Sequence, residues 1–507
     1  MITDEWARLL SRYGTTRVTA SFILVVAVLL RLPNLDESLW YDEVLYSTRF
    51  VANSLPKLWE LVFSDPPAPL YRFVLYGWAG LFGENEIVAR IPSFICGVAA
   101  IFLTYAIAKK YGDIQAAFLA ALFLCFSPTH VWYSQEATPY AMTLCFLLAT
   151  VLVWKELKSG TRPGHWYFFY GLFLICAIFT QFFAAVYLLP LTVLTLDASP
   201  VAWKRIIAIN LVAGALAVSM LAIKYQIGRA IGVGQSFLRP FTLVEWWMLF
   251  FNWFLHGNAL WTLPPWATLQ DLIRSPLLVS CQIFFLVILV RGLLPPRGKI
   301  WDKLSLELLL FLIAPPLTMS LLTLAGYQKI YIERYLLIGL PFFAIVLARG
   351  VTAFAHRYVT GIAIAAVVML GVTSYAMFLS KSDEWTVYKQ NPDMRGAARY
   401  LAAQNISADD AIIVFPTYEA LSLSFYIDQV ASQNHAIVQT QYDPATVEQA
   451  ITTGKLKEIY VVTRGDRQRV DGFFAANPRL VLRTISSFKG MHVYTFVPVT
   501  IPTKRSE

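Results

Sequence analysis

Long apolar runs alternate along this chain with short polar connections. Scanned with a window of about 19 residues, the runs fall at Val18–Leu32, Ile87–Ala108, Ile114–Pro128, Ala137–Trp154, Trp166–Thr180, Phe182–Leu196, Ile206–Lys224, Leu272–Leu294, Ser305–Ala325, Tyr335–Ala348 and Val359–Leu379. Apolar stretches of about 18 or more residues are long enough to cross a hydrocarbon core as helices, so about eleven spans are expected. The stretch around Gln181 fits two short helices or one long tilted one. Beyond Leu379 the pattern changes to short apolar strands between helical periods. Helices are expected at Arg395–Gln404, Tyr418–Tyr426 and Ala445–Thr453, and strands at Ala411–Phe415, Ala436–Gln439, Glu458–Thr463, Val481–Ile485 and His492–Phe496. This alternation predicts a small α/β domain. The expected architecture is therefore a polytopic α-helical body over residues 1–380 and an α/β domain over 381–507.

Cations give the body an orientation. Arg8, Arg12 and Arg17 precede the first run, and alternate connections carry Lys109 and Lys110, Lys155, Lys158 and Arg162, Lys204 and Arg205, Arg291, Arg297, Lys299 and Lys303, then Arg349 and Arg357. Short loops rich in Lys and Arg stay cytoplasmic. An odd number of spans puts the N-terminus inside and the α/β domain outside, and the charges keep phase only if Gln181 separates two spans. Two outside loops are long, residues 33–86 and 225–271. The first holds Leu70–Phe82, an amphipathic, aromatic stretch suited to a helix lying in the interface. The second holds Trp246, Trp247, Trp253, Trp261 and Trp266, which fit an aromatic belt or a wall for a lipid or sugar.

Composition agrees with a membrane protein. The 507 residues are 57% hydrophobic and 14% charged, against about 25% charged in soluble chains, and the mean hydropathy is +0.56. A net charge of +9 can mark a nucleic-acid binder, but here the cations sit in loops between spans and report topology, so no nucleic-acid partner is expected. Cys96, Cys125, Cys145, Cys176 and Cys281 all lie in apolar runs, without metal-ligand spacing or a disulfide framework, and read as packing residues. The first run lacks a cleavage pattern and reads as a retained span.

Chemistry concentrates in the outside loops. Leu39-Trp40-Tyr41-Asp42-Glu43 sets two adjacent carboxylates among aromatics about ten residues beyond the first run. A carboxylate there can take a proton from an attacking hydroxyl or hold a divalent metal against phosphate. An acidic pair on an exposed loop is also an ordinary solvated feature. Trp132-Tyr133-Ser134-Gln135-Glu136 brings another acid to the same expected face, where it would also suit the N-terminus of the following helix. Ser64-Asp65-Pro66-Pro67-Ala68-Pro69-Leu70-Tyr71 enters the amphipathic stretch through prolines that stiffen the backbone. His130 and Gln181 read as packing residues, and Arg90 as either a headgroup anchor or an ion-pair partner of Asp42 or Glu43.

The order of these segments resembles the GT-C glycosyltransferases, specifically the branch of protein O-mannosyltransferases and lipid A aminoarabinose transferases. The likeness is close over about the first 140 residues. Trp40-Tyr41-Asp42-Glu43 resembles that branch's Asp-Glu motif, and Asp65-Pro66-Pro67-Ala68-Pro69-Leu70-Tyr71 its Pro-Pro-Leu-Tyr motif. Leu81–Glu86 with Ala89-Arg90-Ile91-Pro92-Ser93 resembles its Arg-Leu/Ile-Pro-Ser segment, and His130–Met142 its Trp-Tyr-Ser-Gln-Glu segment. Glu333-Arg334-Tyr335 resembles a late-loop Arg-Tyr.

The resemblance implies transfer of a sugar from a polyprenyl-phosphate carrier to a glycan, lipid or protein acceptor on the extracytoplasmic face of a bacterial inner membrane. It makes Asp42 the catalytic carboxylate, with Glu43 beside it and Glu136 in support. It makes Tyr41, Asp65, Tyr71, Arg90, Tyr133, Gln135, Lys329 and Arg334 candidate substrate-binding residues. A carboxylate is a weak base for a hydroxyl and would take the proton late, as the new carbon–oxygen bond develops. The departing phosphate would need cations or backbone donors. Relatives usually carry Lys or His where this chain has Asp65, and many carry Arg where it has Thr138. Lys329 and Arg334 could restore that charge, or serve as ordinary anchors to lipid headgroups. A divalent metal held by Asp42, Glu43, Asp65 and Glu136 is the other solution. Two readings of different class stand beside the enzyme. A transporter of lipid-linked sugars would show charges within its spans and inverted repeats. A non-catalytic scaffold would bind glycans through the α/β domain.

Overall fold

The computed structural model describes residues 15–46, 52–64, 69–231, 244–257, 276–294, 302–325, 333–354, 356–380, 391–404, 406–407, 409–430, 438–439, 449, 451, 456–464, 470–475 and 477–499. The chain divides into two units. One comprises Met1–Leu35, Ser54–Phe82 and Val88–Lys389, and the other Asp36–Asn53, Gly83–Ile87 and Gln390–Glu507. The second unit thus joins the C-terminal domain to two segments from the region between the first two apolar runs.

The first unit is helical, and each expected apolar run contains a helix. Among the described residues, six helices are long and apolar enough to cross a membrane: Glu86–Tyr111, Tyr140–Leu157, Pro200–Ile223, Lys303–Leu324, Arg334–Thr352 and Arg357–Ser380. A seventh crossing results if Ile114–Phe126 and Pro128–Gln135, bent by 60° at Ser127, count as one. Val18–Leu29, His165–Thr180, Phe182–Val193 and Val279–Leu293 are apolar but shorter. Helices Arg334–Thr352 and Pro200–Ile223 differ in kind. The first is 83% buried and the second 22%, so the apolar side chains of the second, Leu211 and Val218 among them, face outward. A helix apolar on all sides belongs in a core or in lipid; both cases occur here.

Close helix contact uses small residues. A Cβ added at Gly350 would lie 1.9 Å from the carbonyl oxygen of Ile288, and one at Gly292 would lie 1.9 Å from that of Val346. Helices Pro276–Leu293 and Leu340–Thr352 therefore approach backbone to backbone, as membrane helices do through small side chains. Pro69–Phe82 is a helix, as its amphipathic pattern predicts, and buries Tyr71, Arg72 and Leu75. Of the cysteines only Cys125 is buried, while Cys281 is exposed on an apolar helix.

The second unit contains a five-stranded sheet ordered β2-β1-β3-β5-β4. Strands β1 (Ala411–Phe415), β2 (Val438–Gln439) and β3 (Ile459–Thr463) run parallel, and β4 (Leu480–Phe488) and β5 (Met491–Pro498) form an antiparallel hairpin added to β3. β1 and β3 are buried along their whole length, which explains their unbroken apolar sequences. The last two strands extend beyond the expected segments because the hairpin turn at Lys489-Gly490, with Gly490 at φ +67°, pairs them almost to their ends. The helix expected over Tyr418–Tyr426 begins later. Thr417–Glu419 forms a 3₁₀ turn and Ala420–Val430 the helix. Most of the helix expected at Ala445–Thr453 lies outside the described residues.

Candidate active site

In the second unit, Trp40 leads into a six-residue helix, Tyr41–Tyr46, whose first turn carries Asp42 and Glu43. The two acids have different surroundings. Glu43 is fully buried, and its Oε2 accepts the backbone N–H of Trp40 at 3.3 Å. That is the N3 half of a capping box, a carboxylate reaching back to the helix start, without the reciprocal bond that a Trp side chain cannot accept. Asp42 is only half-buried. Adjacent carboxylates of one motif are thus divided, Glu43 turned to the backbone and Asp42 left accessible.

Aromatic rings flank this turn. Tyr41 meets Tyr418 edge to face, with centroids 5.3 Å apart. Burial and the Glu419 carboxylate push the Tyr418 phenol above its ordinary value; Arg464 opposes the shift and Asp42 adds to it. Tyr418 follows the C-terminal end of β1, and Glu419 beside it is buried and paired with Arg464 beyond β3 at 2.8 Å. In open α/β sheets the carboxyl ends of parallel strands are where ligand-facing loops gather.

In the first unit the other motifs knit together. Tyr71, Ser93 and Thr138 are all buried. The Ser93 hydroxyl donates to the Thr138 carbonyl at 3.0 Å and lies 3.0 Å from the Tyr71 hydroxyl, which leaves Tyr71 as the donor to Ser93. One hydrogen-bonded chain therefore links three motif segments, and it spends the Tyr71 hydroxyl inside the protein. Glu136 ends helix Pro128–Gln135 in an extended conformation and is buried. Its Oε2 accepts from the Thr138 hydroxyl at 3.4 Å, so Thr138 is a neutral donor to this carboxylate.

Gln135 and Arg90 hold the exit from the first helix. The Gln135 side-chain amide donates to the carbonyls of Arg31 and Pro33. Arg90, 1% exposed, donates to Leu35 O at 2.8 Å and Asn34 O at 3.4 Å. Burial of that guanidinium within the protein argues against a headgroup anchor. Asn34 has φ 66°, a left-handed conformation that Asn tolerates better than most residues, so the turn after the first helix is built from that residue and the cation capturing its carbonyl.

Aromatic contacts bring the late loop to the Trp-Tyr-Ser-Gln-Glu segment. Tyr133 packs edge to face on Tyr140 at 5.0 Å, Tyr140 lies 6.2 Å from Tyr335, and Tyr335 stacks on Phe183 at 4.2 Å. The Arg334 guanidinium sits 6.0 Å from the Tyr140 ring and 5.7 Å from Tyr335. Trp246 and Trp247 of the second long loop donate to Ser320 and Gln282 at 2.9 and 2.8 Å, while Trp261 and Trp266 lie outside the described residues.

Asp65 and Lys329 also fall outside the described residues. Among the described residues no group of three or more His, Cys, Asp or Glu is placed to hold a metal ion.

Sequence reading alone passed over Arg31 and Glu307, because each lies in an apolar run. Arg31 is fully buried and donates to the carbonyls of Ala27 and Leu124 at 3.0 and 3.1 Å. Glu307 is buried against Lys155, Lys158 and the Tyr111 hydroxyl. Both occupy places where hydropathy averaging hides a single charge.

The fold of the chain can be set beside known proteins. Residues 65–225 match the dolichyl-phosphate-mannose-protein mannosyltransferase family. No curated protein matches the chain by sequence. Among solved structures, ArnT from Cupriavidus metallidurans bound to undecaprenyl phosphate is 14% identical, with a TM-score of 0.53 over 96% of this chain and 98% of that one. This chain has the fold of a GT-C glycosyltransferase. The archaeal oligosaccharyltransferase AglB from Archaeoglobus fulgidus, in complex with an inhibitory peptide and a dolichol-phosphate, is 10% identical. It aligns with a TM-score of 0.51 over 96% of this chain and 74% of that one. The mycobacterial arabinofuranosyltransferase AftD is 13% identical, with a TM-score of 0.50 over 96% of this chain and 40% of its own. The GT-C resemblance carried by the short motifs and the fold of the whole chain therefore agree.

Proposed function

We propose that this membrane protein transfers a sugar from a polyprenyl-phosphate carrier to an acceptor hydroxyl on the extracytoplasmic face of a bacterial inner membrane, with Asp42 as the base. The observation that carries the reading is the division of the Asp-Glu pair. Glu43 is buried on the helix start, while half-buried Asp42 remains accessible, in a fold shared with a structure bound to undecaprenyl phosphate. The orientation rests on the cationic loops, and eleven spans follow if the four shorter apolar helices cross as well.

The acceptor oxygen attacks the anomeric carbon as the bond from that carbon to the phosphate oxygen breaks. Its proton passes to the Asp42 carboxylate, and the polyprenyl phosphate leaves with the bonding pair. A single displacement of this kind inverts the anomeric centre. Arg334 and Lys329 are assigned to the departing phosphate, where charge develops in the transition state. Tyr71 serves as an internal strut of the first unit.

The test is transfer of labelled sugar in detergent by the purified chain, because transport alone needs two leaflets. Asp42→Asn is expected to abolish transfer while keeping the wild-type elution profile and melting curve. Wild-type turnover by that variant would remove Asp42 from the mechanism.

A further inference from the structure

The backbone that delivers Asp42 is held by side chains from the far end of the sequence, all within the second unit. Four successive residues, 36 to 39, are tied in this way. The Asp36 carbonyl accepts from Arg395 Nη2 at 3.1 Å. The Glu37 carboxylate meets Lys489 Nζ at 2.6 Å. The Ser38 hydroxyl donates to Asp393 Oδ1 at 3.1 Å and accepts the Arg395 backbone N–H at 3.3 Å. The Leu39 N–H donates to the Tyr426 hydroxyl at 2.7 Å.

Tyr426 is the centre of this network. It is 2% exposed, and its hydroxyl both accepts from Leu39 and donates to Glu86 Oε1 at 3.1 Å. Arg395 Nη1 neutralises Glu86 at 2.9 Å. Asp393 is itself fixed, since its Oδ1 caps the Met394–Ala403 helix through Gly396 N–H at 2.9 Å. The helix bearing Tyr426 packs on the Tyr41–Tyr46 helix.

We infer that Tyr426, together with Glu86 and Arg395, is the positioning centre for Asp42, and that the C-terminal domain is part of the transfer machinery rather than an appended binding module. The inference rests on the reading of Asp42 as base. A base acts only within hydrogen-bond reach of the proton it takes, and misplacement by about 1 Å can cost about a hundredfold in rate. Leu39 stands three residues before Asp42, so its N–H to Tyr426 fixes the backbone just ahead of the reacting turn.

Tyr426→Phe keeps the ring and its packing but removes both hydrogen bonds. Purified full-length chain would be assayed for conversion of labelled undecaprenyl-phosphate mannose, glucose and arabinose to undecaprenyl phosphate. A membrane extract lacking the protein would serve as acceptor source. For Tyr426→Phe a loss in kcat of about tenfold to a hundredfold is expected, with donor KM within about twofold and an unchanged melting curve. Arg395→Lys, which keeps the charge on Glu86, should retain more kcat than Arg395→Ala. Arg483→Ala, which breaks an exposed pair with Glu458 on the same domain, should leave kcat within about twofold. Wild-type kcat in Tyr426→Phe would overturn the inference, and so would equal losses in Arg483→Ala. If the wild type converts none of the three donors, the proposed function itself fails. Conversion by the wild type but not by Asp42→Asn, with Tyr426→Phe unaffected, removes only the positioning role.

Discussion

Arg31 Nη2 lies 2.7 Å from His130 Nδ1, 99 residues away. A guanidinium only donates, so this imidazole nitrogen accepts and the ring proton belongs on Nε2. The same guanidinium also donates to Leu124 O, satisfying a carbonyl left over at the end of helix Ile114–Phe126. Ser127 caps the next helix through His130 N–H at 3.4 Å. The pair therefore fastens the 60° bend that leads to Glu136. His130→Ala is expected to cost about 1–3 kcal/mol by leaving a buried donor unmet. Arg31→Ala should cost more. In a double-mutant cycle the two losses should not add, which thermal unfolding in detergent can measure; additive losses would dissolve the coupling.

Much of this architecture is legible from hydropathy, because a span must be both long and apolar, and the motifs fall where helices meet loops. The membership of Asp36–Asn53 in the C-terminal unit is not legible. It depends on pairs such as Leu39 with Tyr426, separated by 387 residues, and neither residue carries a local signal of that contact. Arg31 and Glu307 escaped for the opposite reason, since one charge in a window of apolar residues barely moves its mean. The split between Asp42 and Glu43 needed helix geometry, which fixes the third helical position as the one that reaches back to the cap.

Tyr71 separates resemblance from geometry. Its hydroxyl is spent on Ser93 and its ring is fully buried. Tyr71→Phe is therefore expected to lower stability by about 1 kcal/mol and to leave donor KM within about twofold. A donor KM raised about tenfold, the effect of losing one charge-assisted contact, would return Tyr71 to the substrate.

Glu307 links three segments through Lys155, Lys158 (2.7 Å) and the Tyr111 hydroxyl (2.8 Å). Lys158 also reaches Asp197 at 2.6 Å. Removing one member of a buried ionic set strands the others, so Glu307→Ala is expected to cost about 3 kcal/mol. Replacement by Gln keeps a hydrogen-bond acceptor for Tyr111 and should cost less. Melting temperature in detergent distinguishes the two; equal, small losses would mean that water reaches this cluster.

The α/β domain should respond to alkali through Tyr460. Burial, and then the hydrogen bond and charge of Glu458, push its phenol up from the ordinary value of 10.0. The folded value exceeds the unfolded one, so the stabilising contribution is complete below about pH 10 and is lost as pH rises through the folded value. Unfolding of the wild type, followed by near-ultraviolet circular dichroism, should steepen with pH above about 10. Tyr460→Phe should show a flatter profile there, and identical profiles would assign the alkaline loss to other groups.

Arg334 can separate a phosphate site from plain packing. It lies over Tyr140 and Tyr335, and Tyr140 in turn contacts Tyr133, so the late loop and the Trp-Tyr-Ser-Gln-Glu segment meet at one guanidinium. A guanidinium offers phosphate two parallel donors as well as charge, whereas an ammonium offers charge from a point. Arg334→Ala should therefore raise donor KM by about tenfold or more, equivalent to about 1.5–3 kcal/mol for a hydrogen bond to a charged group. Arg334→Lys should fall between wild type and Arg334→Ala. If the cation instead only packs on the rings, Lys and Ala variants should lose melting temperature while donor KM stays flat. Sugar-transfer kinetics at varied donor, read beside thermal unfolding of the same preparations, decide between the two roles.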